Sequence, residues 1–459
     1  MANTAMKDMT TGSPTKLLLG FFFPMLFGML FQQFYNMVDT IIVGKYLGVQ
    51  ALAAVGSTGS INFMIIGFCM GVCNGFAIPV AQKFGEKNYS QLRRFAANGA
   101  WLSILFAVVM TATVCVLCRS ILLWMNTPED ILNGAYDYIF VIFLGIPATY
   151  LYNMVSGVIR SLGDSRTPLV FLIISSVMNI GLDLLLIIVF RMGVAGAAWA
   201  TVIAQAVSGI SCFVFMAKRY EVLRMTREEA RPDGNAMKIL CNMGVPMGIQ
   251  YSITAIGSVV LQTAVNGLGS MAVAAVTAGS KIGMFFCCPY DALGSTMATY
   301  GGQNIGANKL DRISEGMRAA VIMGAVYSVA ALVMLAGFGR PLGLLFLDPG
   351  QEEILGQVHL FLIVNAAFYF PLALVNIVRF MIQGMGYSKL AVLAGVCEMF
   401  ARSFVGFCMV PVFGYLAVCF ASPCAWIAAD AFLVPSYRKI MKTLKERQQM
   451  KNVRNLSGS

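Results

Sequence analysis

Two aspartates stand inside long apolar stretches of the sequence, where an ionisable side chain requires a chemical reason. Asp39 lies six residues before Lys45, and Asp183 lies eight residues before Arg191. On helices that rise about 1.5 Å per residue, the carboxylates lie about 9 and 12 Å in from the ends of their stretches, at a shared depth. Burying such a group in a bilayer costs about 2.5–3.5 kcal/mol. We therefore expect a functional pair; the alternative is two hydrogen-bonded packing groups.

Neutral side chains with oxygen atoms accompany the aspartates at helical spacing or similar depth. They are Tyr35, Asn36, Asn179 and Thr201. Carboxylate, amide and hydroxyl oxygens are ligands for hard cations, and two neighbouring carboxylates can instead share a proton. Together with the two aspartates, the set predicts a cation-coupling site that can take Na⁺ or a proton. The residue types do not choose between Na⁺ and H⁺.

A proline precedes the first aspartate in the same stretch. Pro24 lies fifteen residues before Asp39. Proline in a helix frees a backbone carbonyl and permits a bend. Position 24 is therefore either a static kink or a hinge whose angle depends on the charge of Asp39.

Composition predicts the elements that must hold these residues. Of 459 residues, 58% are hydrophobic and 12% are charged, and the mean hydropathy is +0.76. A soluble globular protein has about 25% charged residues, so that class is excluded. Apolar stretches of about 20 residues can cross a bilayer as helices. We predict an all-α polytopic membrane protein with twelve spans near 17–44, 49–80, 95–118, 133–159, 167–190, 193–217, 237–264, 270–301, 319–339, 356–383, 390–411 and 413–436.

Basic residues predict the orientation of these spans. With the N-terminus inside, the outer connections carry only Lys45, Arg119, Arg191 and Arg340. The inner connections carry nearly all the others, and we assign Arg160 and Arg379 to them. This asymmetry places both termini in the cytoplasm. The net charge of +11 therefore requires no nucleic-acid partner, and the basic C-terminal tail is typical of a segment beside anionic lipid headgroups.

The second half of the chain resembles the first. The matching pairs are Gln82 with Gln303 and Gly193 with Gly414 at a shift of 221, and Asn153 with Asn376 at a shift of 223. Because the shift equals six spans, the two halves enter the membrane in the same direction, which favours a secondary transporter built from parallel repeats. We predict an N-terminal lobe at 1–218, a cytoplasmic linker at 219–236, a C-terminal lobe at 237–437 and a basic tail at 438–459.

The C-terminal half contains a different set of polar residues within its spans. They are Gln250, Lys281, Glu398 and Arg402. Glu398 and Arg402 are four residues apart and share one helical face. A structural salt-bridge network and a role in substrate binding or gating both remain open for this set.

Several motifs resemble the MATE (multidrug and toxic compound extrusion) family of secondary transporters. They include QQFYNMVDTIIVGKYLG, NMVSGVIRSLGDSRTP, MNIGLDLLLI, GVAGAAWATVIAQ and GGQNIGANKLDRI. The resemblance implies two six-helix lobes and export of organic, often cationic, drug-like compounds against Na⁺ or H⁺. It further implies a multi-pass monomer in the cytoplasmic membrane of a bacterium, with no cofactor besides the coupling ion.

Carried over residue by residue, the family's N-lobe cation site falls on Asp39, Asn179, Asp183 and Thr201, with Asn153 as a further member. The resemblance also implies that span 1 bends at Pro24. One branch of the family has an acid in span 7, but VPMGIQYSITAIGSVVLQTAV here has none. We therefore place coupling in the N-terminal lobe.

Other functions explain the sequence less well. A flippase for a lipid-linked or other amphipathic substrate requires a basic cavity, of which Lys281 and Arg402 are a small indication. An intramembrane metalloenzyme of the H-E-x-x-H type needs two histidines, and the chain has one. A simple channel leaves the polar cluster in one half unexplained. We predict a transporter and not an enzyme.

Overall fold

The computed structural model describes residues 6–125, 127–345 and 350–457, with side chains as far as residue 450. The first five residues of the predicted N-terminal lobe and the last two of the predicted tail lie outside these ranges. Within them the secondary structure is helical, and the α-helices in chain order are α1 Pro14–Leu47, α2 Val49–Ser57, α3 Gly59–Gly85, α4 Tyr89–Trp124, α5 Glu129–Leu144, α6 Ile146–Ser161, α7 Arg166–Leu184, α8 Gly193–Arg219, α9 Gly234–Asn266, α10 Ser270–Gly306, α11 Leu310–Gly343, α12 Glu352–Ala367, α13 Tyr369–Gly384, α14 Ser388–Phe404, α15 Val410–Phe413 and α16 Tyr415–Ser457.

The helices confirm the predicted fold class. In the described ranges, ten helical segments are long and apolar enough to cross a membrane, and the count rises to twelve if each of two bent pairs forms one span. Every predicted span overlaps one of these segments or pairs. Hydropathy alone was sufficient for this prediction, because backbone N–H and C=O groups in a bilayer must form their hydrogen bonds within the helix itself.

The two bent pairs occupy equivalent places in the two halves of the chain. Helices α5 and α6 meet at Gly145 with a bend of 44°, and α12 and α13 meet at Phe368 with a bend of 50°. Pro147 and Pro371 follow these breaks. Proline cannot donate the backbone hydrogen bond that would carry the helix across the break. The same interruption in both halves extends the internal repeat from sequence to backbone shape.

Two π-helical turns form a second pair of equivalent features. Residues Leu185–Val189 continue α7, and residues Val405–Met409 continue α14. A π turn widens a helix locally and often occurs beside a functional site. Asp183 lies two residues before the first of them.

Packing divides the chain into two compact units. Unit 1 contains Phe21–Ala255 and the described residues up to Asp8, and unit 2 contains Met9–Gly20 and the residues from Ile256 onwards. The first part of α9 thus packs with unit 1, whereas the repeat predicts that the second lobe begins at 237. Sequence similarity and packing therefore divide the chain at different residues.

Glycines explain why the first part of α9 packs with unit 1. A Cβ atom on Gly71 of α3 would lie 2.7 Å from the Met247 carbonyl oxygen, and one on Gly75 would lie 2.4 Å from the Gly244 Cα. Real Cβ atoms do not approach other atoms so closely. Small residues at intervals of four allow two membrane helices to cross in backbone contact, and α3 and α9 cross in this way.

The predicted linker is bound to α4. Arg93 donates from Nε and NH2 to the two carboxylate oxygens of Glu229, each at 2.8 Å. Glu229 also accepts from the Thr226 amide at 2.9 Å, and Asn98 accepts from the Asp233 amide at 2.8 Å. The hydrogen-bonded Arg93 guanidinium holds the pKa of Glu229 at about 2, below its usual range. The linker is therefore an ordered part of unit 1.

The segment before α1 is ordered within unit 2. The Met9 amide donates to Gln303 Oε1 at 2.8 Å, Lys309 Nζ donates to the Thr10 carbonyl at 2.7 Å, and Arg312 NH1 donates to the Gly12 carbonyl at 3.0 Å. Met9 and Thr10 are almost completely buried. The first turns of α1 therefore begin from a fixed point in unit 2.

Candidate functional site

Helices α1 and α7 position the two aspartates predicted from the sequence. Asp183 is completely buried and Asn179 is 2% exposed, whereas Asp39 is half-buried. The carboxyl groups of Asp39 and Asp183 lie close enough to interact directly. The structure thus brings together two acidic groups that are 144 residues apart in the sequence.

Neither carboxylate is neutralised by a basic residue. In the described part of the chain, no Lys or Arg forms an ion pair with either aspartate. Apart from the contact between the two carboxyl groups, both oxygens of Asp183 and Oδ1 of Asp39 have no hydrogen-bond partner. Buried polar atoms in proteins are almost always hydrogen-bonded, and exceptions need an explanation. The unpartnered oxygen atoms therefore identify the pair as a candidate functional site.

Neutral oxygen atoms complete the surroundings of Asp183. Asn179 Nδ2 donates to Thr201 Oγ1 at 3.3 Å, and Thr201 Oγ1 donates to the Ala197 carbonyl at 3.2 Å. The Asn179 Oδ1 atom is buried without a partner. Carboxylate, amide and hydroxyl oxygens are therefore available at one place, and these are the ligands that hard cations prefer.

A tyrosine that sequence reasoning missed also belongs to this cluster. Tyr138 on α5 is 8% exposed and interacts electrostatically with Asp39, Asp183 and Tyr35. It lies five residues after the predicted start of span 4 at 133, about 8 Å in from that end. Its depth matches that of the aspartates, and this was the signal that could have identified it.

The other residues predicted for the site in this half differ in their burial and in their hydrogen-bond partners. Tyr35 is half-buried and interacts with Asp39, whereas the Asn36 side chain is exposed. Asn153 is 8% exposed, and its described hydrogen bond runs from Nδ2 to the Thr149 carbonyl on its own helix at 2.8 Å. Helix α1 continues unbroken through Pro24.

Three buried charged residues of unit 2 are paired with one another, whereas Asp430 Oδ1 is buried without a hydrogen-bond partner. Arg379 NH2 on α13 donates to Glu398 Oε1 on α14, and Arg402 NH2 lies 3.8 Å from Glu398 Oε2. All three side chains are at least nine-tenths buried. A Cβ on Gly257 of α9 would lie 3.6 Å from Arg402 NH1, so this glycine leaves space for the guanidinium. One carboxylate is thus shared by two arginines.

The position of Arg379 shows that one of our predictions about basic residues was wrong. We predicted that it lies in an inner connection, but it is buried in α13, five residues before the helix ends. Lys281 is exposed and forms no described ion pair, and Gln250 lies in the part of α9 that packs with unit 1. Of the polar residues predicted for the second half, the structure brings together only Glu398 and Arg402.

Arg160, which we also predicted to lie in an inner connection, is likewise part of a helix in unit 1. It belongs to the last turn of α6 and is half-buried. Its NH2 group donates to Asn74 Oδ1 on α3 at 3.1 Å. Hydropathy assigned both arginines to connections because each lies near the end of an apolar stretch, where the boundary of a helix is least certain.

Comparison with protein families gives two matches within the chain. The MatE family model matches residues 24–185 and again residues 246–408. The two matches cover most of the chain, and the second begins 222 residues after the first. This separation agrees with the shifts of 221 and 223 in the sequence and confirms the internal repeat.

Individual relatives point to the same family. The chain is 28% identical over 356 residues to the probable multidrug resistance protein YoeA of Bacillus subtilis, covering 76% of each chain. It is 25% identical over 368 residues to a FAD transporter of Shewanella oneidensis, covering 79% of this chain and 80% of that one.

A solved structure has the same fold. It is the outward-facing conformation of a multidrug resistance MATE family transporter, with a TM-score of 0.91, 21% identity, and coverage of 97% of this chain and 99% of that one. The repeat, the helical membrane architecture and the family match agree, and the chain belongs to the MATE family of multidrug efflux transporters, which carry small molecules across membranes and are not enzymes.

Proposed function

We propose that the protein is an antiporter that exports organic compounds in exchange for Na⁺ or H⁺. The observation that carries this proposal is the Asp39–Asp183 pair, in which a completely buried and a half-buried carboxyl group interact without a described basic partner. Two adjacent carboxylates repel each other unless a proton or a metal cation lies between them. A bound cation therefore has a large effect on the free energy of this part of unit 1.

Coupling follows if cation and substrate favour different arrangements of the protein. A ligand shifts a conformational equilibrium only by its difference in affinity for the two states. Cation binding at Asp39 and Asp183 would stabilise one arrangement, and binding of the exported compound would stabilise the other. Each therefore promotes release of its competitor, which is the basis of exchange by alternating access.

The substrate we propose first is an organic, cationic, drug-like compound. The names of the relatives support a range of organic cargoes, because one is a probable multidrug resistance protein and another is a FAD transporter. We further propose a monomer in the bacterial cytoplasmic membrane with both termini in the cytoplasm, as the distribution of basic residues predicts.

The alternative function, a flippase for an amphipathic lipid-linked compound, has less support in unit 2. A diphosphate group requires positive charge that is free to bind it. Arg379 and Arg402 share Glu398, and Lys281 is exposed and unpaired in the described structure. We therefore place antiport first.

The test is efflux of ethidium from proteoliposomes under an Na⁺ gradient and, separately, under a pH gradient. Wild type is compared with Asp39→Asn and Asp183→Asn, which remove charge and retain size. Asp137→Asn is the matched control, because Asp137 lies on α5 next to Tyr138 but its side chain is exposed.

Efflux driven by one gradient, lost in both site variants and retained in the control, would support the proposal and identify the ion. Efflux that survives both substitutions would contradict the assigned site. If neither gradient drives efflux of ethidium or of other organic cations, the flippase becomes the better explanation.

A further inference from the structure

One half-buried arginine of unit 1, Arg160, has no described acidic partner. Arg160 forms one described hydrogen bond, to the neutral Asn74 amide, and no described ion pair. Its electrostatic neighbours are Cys73, Tyr152, Cys212 and Tyr251, and none of them is a carboxylate. A positive charge near the end of a membrane helix normally pairs with an acid or reaches water, and Arg160 does neither completely.

The nearest acid in the sequence is already engaged. Asp164 lies four residues after Arg160, but its carboxylate accepts from Tyr220 OH at 2.5 Å, from Thr167 Oγ1 at 2.6 Å and from the Arg166 amide at 2.8 Å. It is 1% exposed. These donors satisfy the carboxylate, so Asp164 has no free acceptor to offer Arg160.

Unit 2 shows how a structural arginine is accommodated on the equivalent helix. At the shift of 223 that relates α6 to α13, Arg160 corresponds to Gln383, one turn after Arg379. Arg379 is 6% exposed and paired with Glu398. Arg379 is thus buried against a carboxylate, whereas Arg160, which has no described carboxylate partner, is only half-buried.

The surroundings of Arg160 suit an anion. Asn74 uses Oδ1 to accept from Arg160, and its Nδ2 donor has no described partner. Asn74, Tyr152, Arg160 and Tyr251 are all half-buried, and together they surround the guanidinium with neutral polar groups. A guanidinium beside an amide donor forms strong, charge-assisted hydrogen bonds to carboxylate or phosphate oxygens.

We infer that Arg160 and Asn74 bind an anionic group of the exported compound, either a carboxylate or a phosphate. This inference rests on the proposed transport function and adds a substrate class to it. Compounds with an acidic group, including those that also carry a positive charge, are then substrates as well as simple cations. The same chemistry suits the phosphate of a phospholipid, and the test must distinguish these two sources.

The test is equilibrium binding to the purified protein in lipid-free maltoside detergent, measured by fluorescence polarisation. Carboxyfluorescein is the anionic probe, and rhodamine 6G is a cationic probe with a similar aromatic core. The variants are Arg160→Gln and the charge-retaining Arg160→Lys. Arg166→Gln is the control, because Arg166 is an exposed arginine close by in the sequence.

We expect Arg160→Gln to weaken carboxyfluorescein binding about tenfold or more, the effect of losing one charge-assisted contact, and to leave rhodamine binding within about twofold. Arg160→Lys should retain part of the affinity, and Arg166→Gln all of it. Equal weakening of both probes, or no weakening of either, would overturn the inference.

Native mass spectrometry with added phosphatidylglycerol supplies the second arm. Lipid retention that depends on Arg160, without any carboxyfluorescein binding, would assign the site to a headgroup and overturn the substrate assignment. Because equilibrium binding needs no gradient, wild-type protein that binds carboxyfluorescein through Arg160 but drives no exchange would contradict the coupling proposal and leave the anion site standing. A failure of coupling is thus distinguishable from a failure of the anion site.

Discussion

The two halves of the chain share a backbone plan but differ in which buried acids are paired with arginines. Both have a bent span and a π turn at equivalent positions. In unit 1 two interacting aspartates have no basic partner, and Arg160 has no acidic partner. In unit 2 Glu398 is shared by Arg379 and Arg402. A duplicated scaffold can therefore leave two acids without a described basic partner in one half and neutralise an acid with two arginines in the other.

The charges are not equivalent in the repeat. At a shift of 221, Asp183 corresponds to Phe404, and Glu398 lies six residues before that position. This separation amounts to about 9 Å along a helix. The Glu398 cluster is thus a separate feature of unit 2 and not a second copy of the aspartate site.

The largest expected effect follows from replacing one acid in each half. Glu398→Gln would leave two buried arginines without their carboxylate, and removing one partner of a buried pair costs about 3–5 kcal/mol. Asp183→Asn removes a charge that repels Asp39 and breaks no ion pair with a described basic residue. We expect a lower unfolding temperature for Glu398→Gln and an unchanged or higher one for Asp183→Asn, measured in detergent by tryptophan fluorescence.

Asp130→Asn, an exposed substitution at the start of α5, is the control for both. Equal losses of stability in the two site variants would contradict the distinction between the halves.

The crossing of α3 and α9 should give the next largest effect. Gly75→Ala places a methyl group against Gly244, and overpacking of this kind costs about 1–3 kcal/mol. At a shift of 221 the equivalent residue in α10 is Thr296, which already has a side chain. Thr296→Ala should be milder in the same thermal measurement. An unchanged unfolding temperature for Gly75→Ala would contradict the view that α3 and α9 must cross in backbone contact.

A smaller effect on exchange is expected at Tyr138. Tyr138→Phe removes a hydroxyl that interacts with both aspartates, and we expect gradient-driven ethidium efflux to fall about threefold to tenfold. Tyr136→Phe is the matched control, because Tyr136 stacks on Phe140 with ring centroids 5.4 Å apart. Equal rates in the two variants would exclude Tyr138 from the site.

The smallest effect concerns the linker. Glu229 has a folded pKa of about 2, below its value of about 4.3 in an unfolded chain. Its contribution to stability is therefore present above about pH 4.3 and lost as pH falls towards 2. Glu229→Gln should lower stability by at most about 1 kcal/mol at pH 7. Unfolding temperatures measured from pH 7 to pH 2 should converge with wild type at the acid end, and a constant difference would contradict this.

The spans and the aspartates could be predicted from the sequence because their physical causes are local and strong. A helix needs about 20 mostly apolar residues to cross a bilayer. An acidic residue within such a helix needs either a partner or a function. The bends at Gly145 and Phe368 were harder to predict from the sequence, because membrane helices tolerate proline with or without a break. The helix stays continuous at Pro24 and is interrupted near Pro147.

The partners of charged groups could not be predicted, because they depend on how helices pack. Glu398 and Arg402 are four residues apart, so their proximity was visible in the sequence. Arg379 reaches Glu398 from another helix, and its position near the end of an apolar stretch suggested a connection. Tyr138 was overlooked for a similar reason, because a tyrosine in a membrane helix is usually explained by packing.

The paired π turns also separate a feature of the backbone from the chemistry beside it. They begin at Leu185 and Val405, 220 residues apart, which is one residue from the main shift of the repeat. A π turn is wider than the α-helix around it, so each half widens a helix at this place. Asp183 lies beside the first turn and Phe404 beside the second. The widened turn therefore forms with or without an acid next to it.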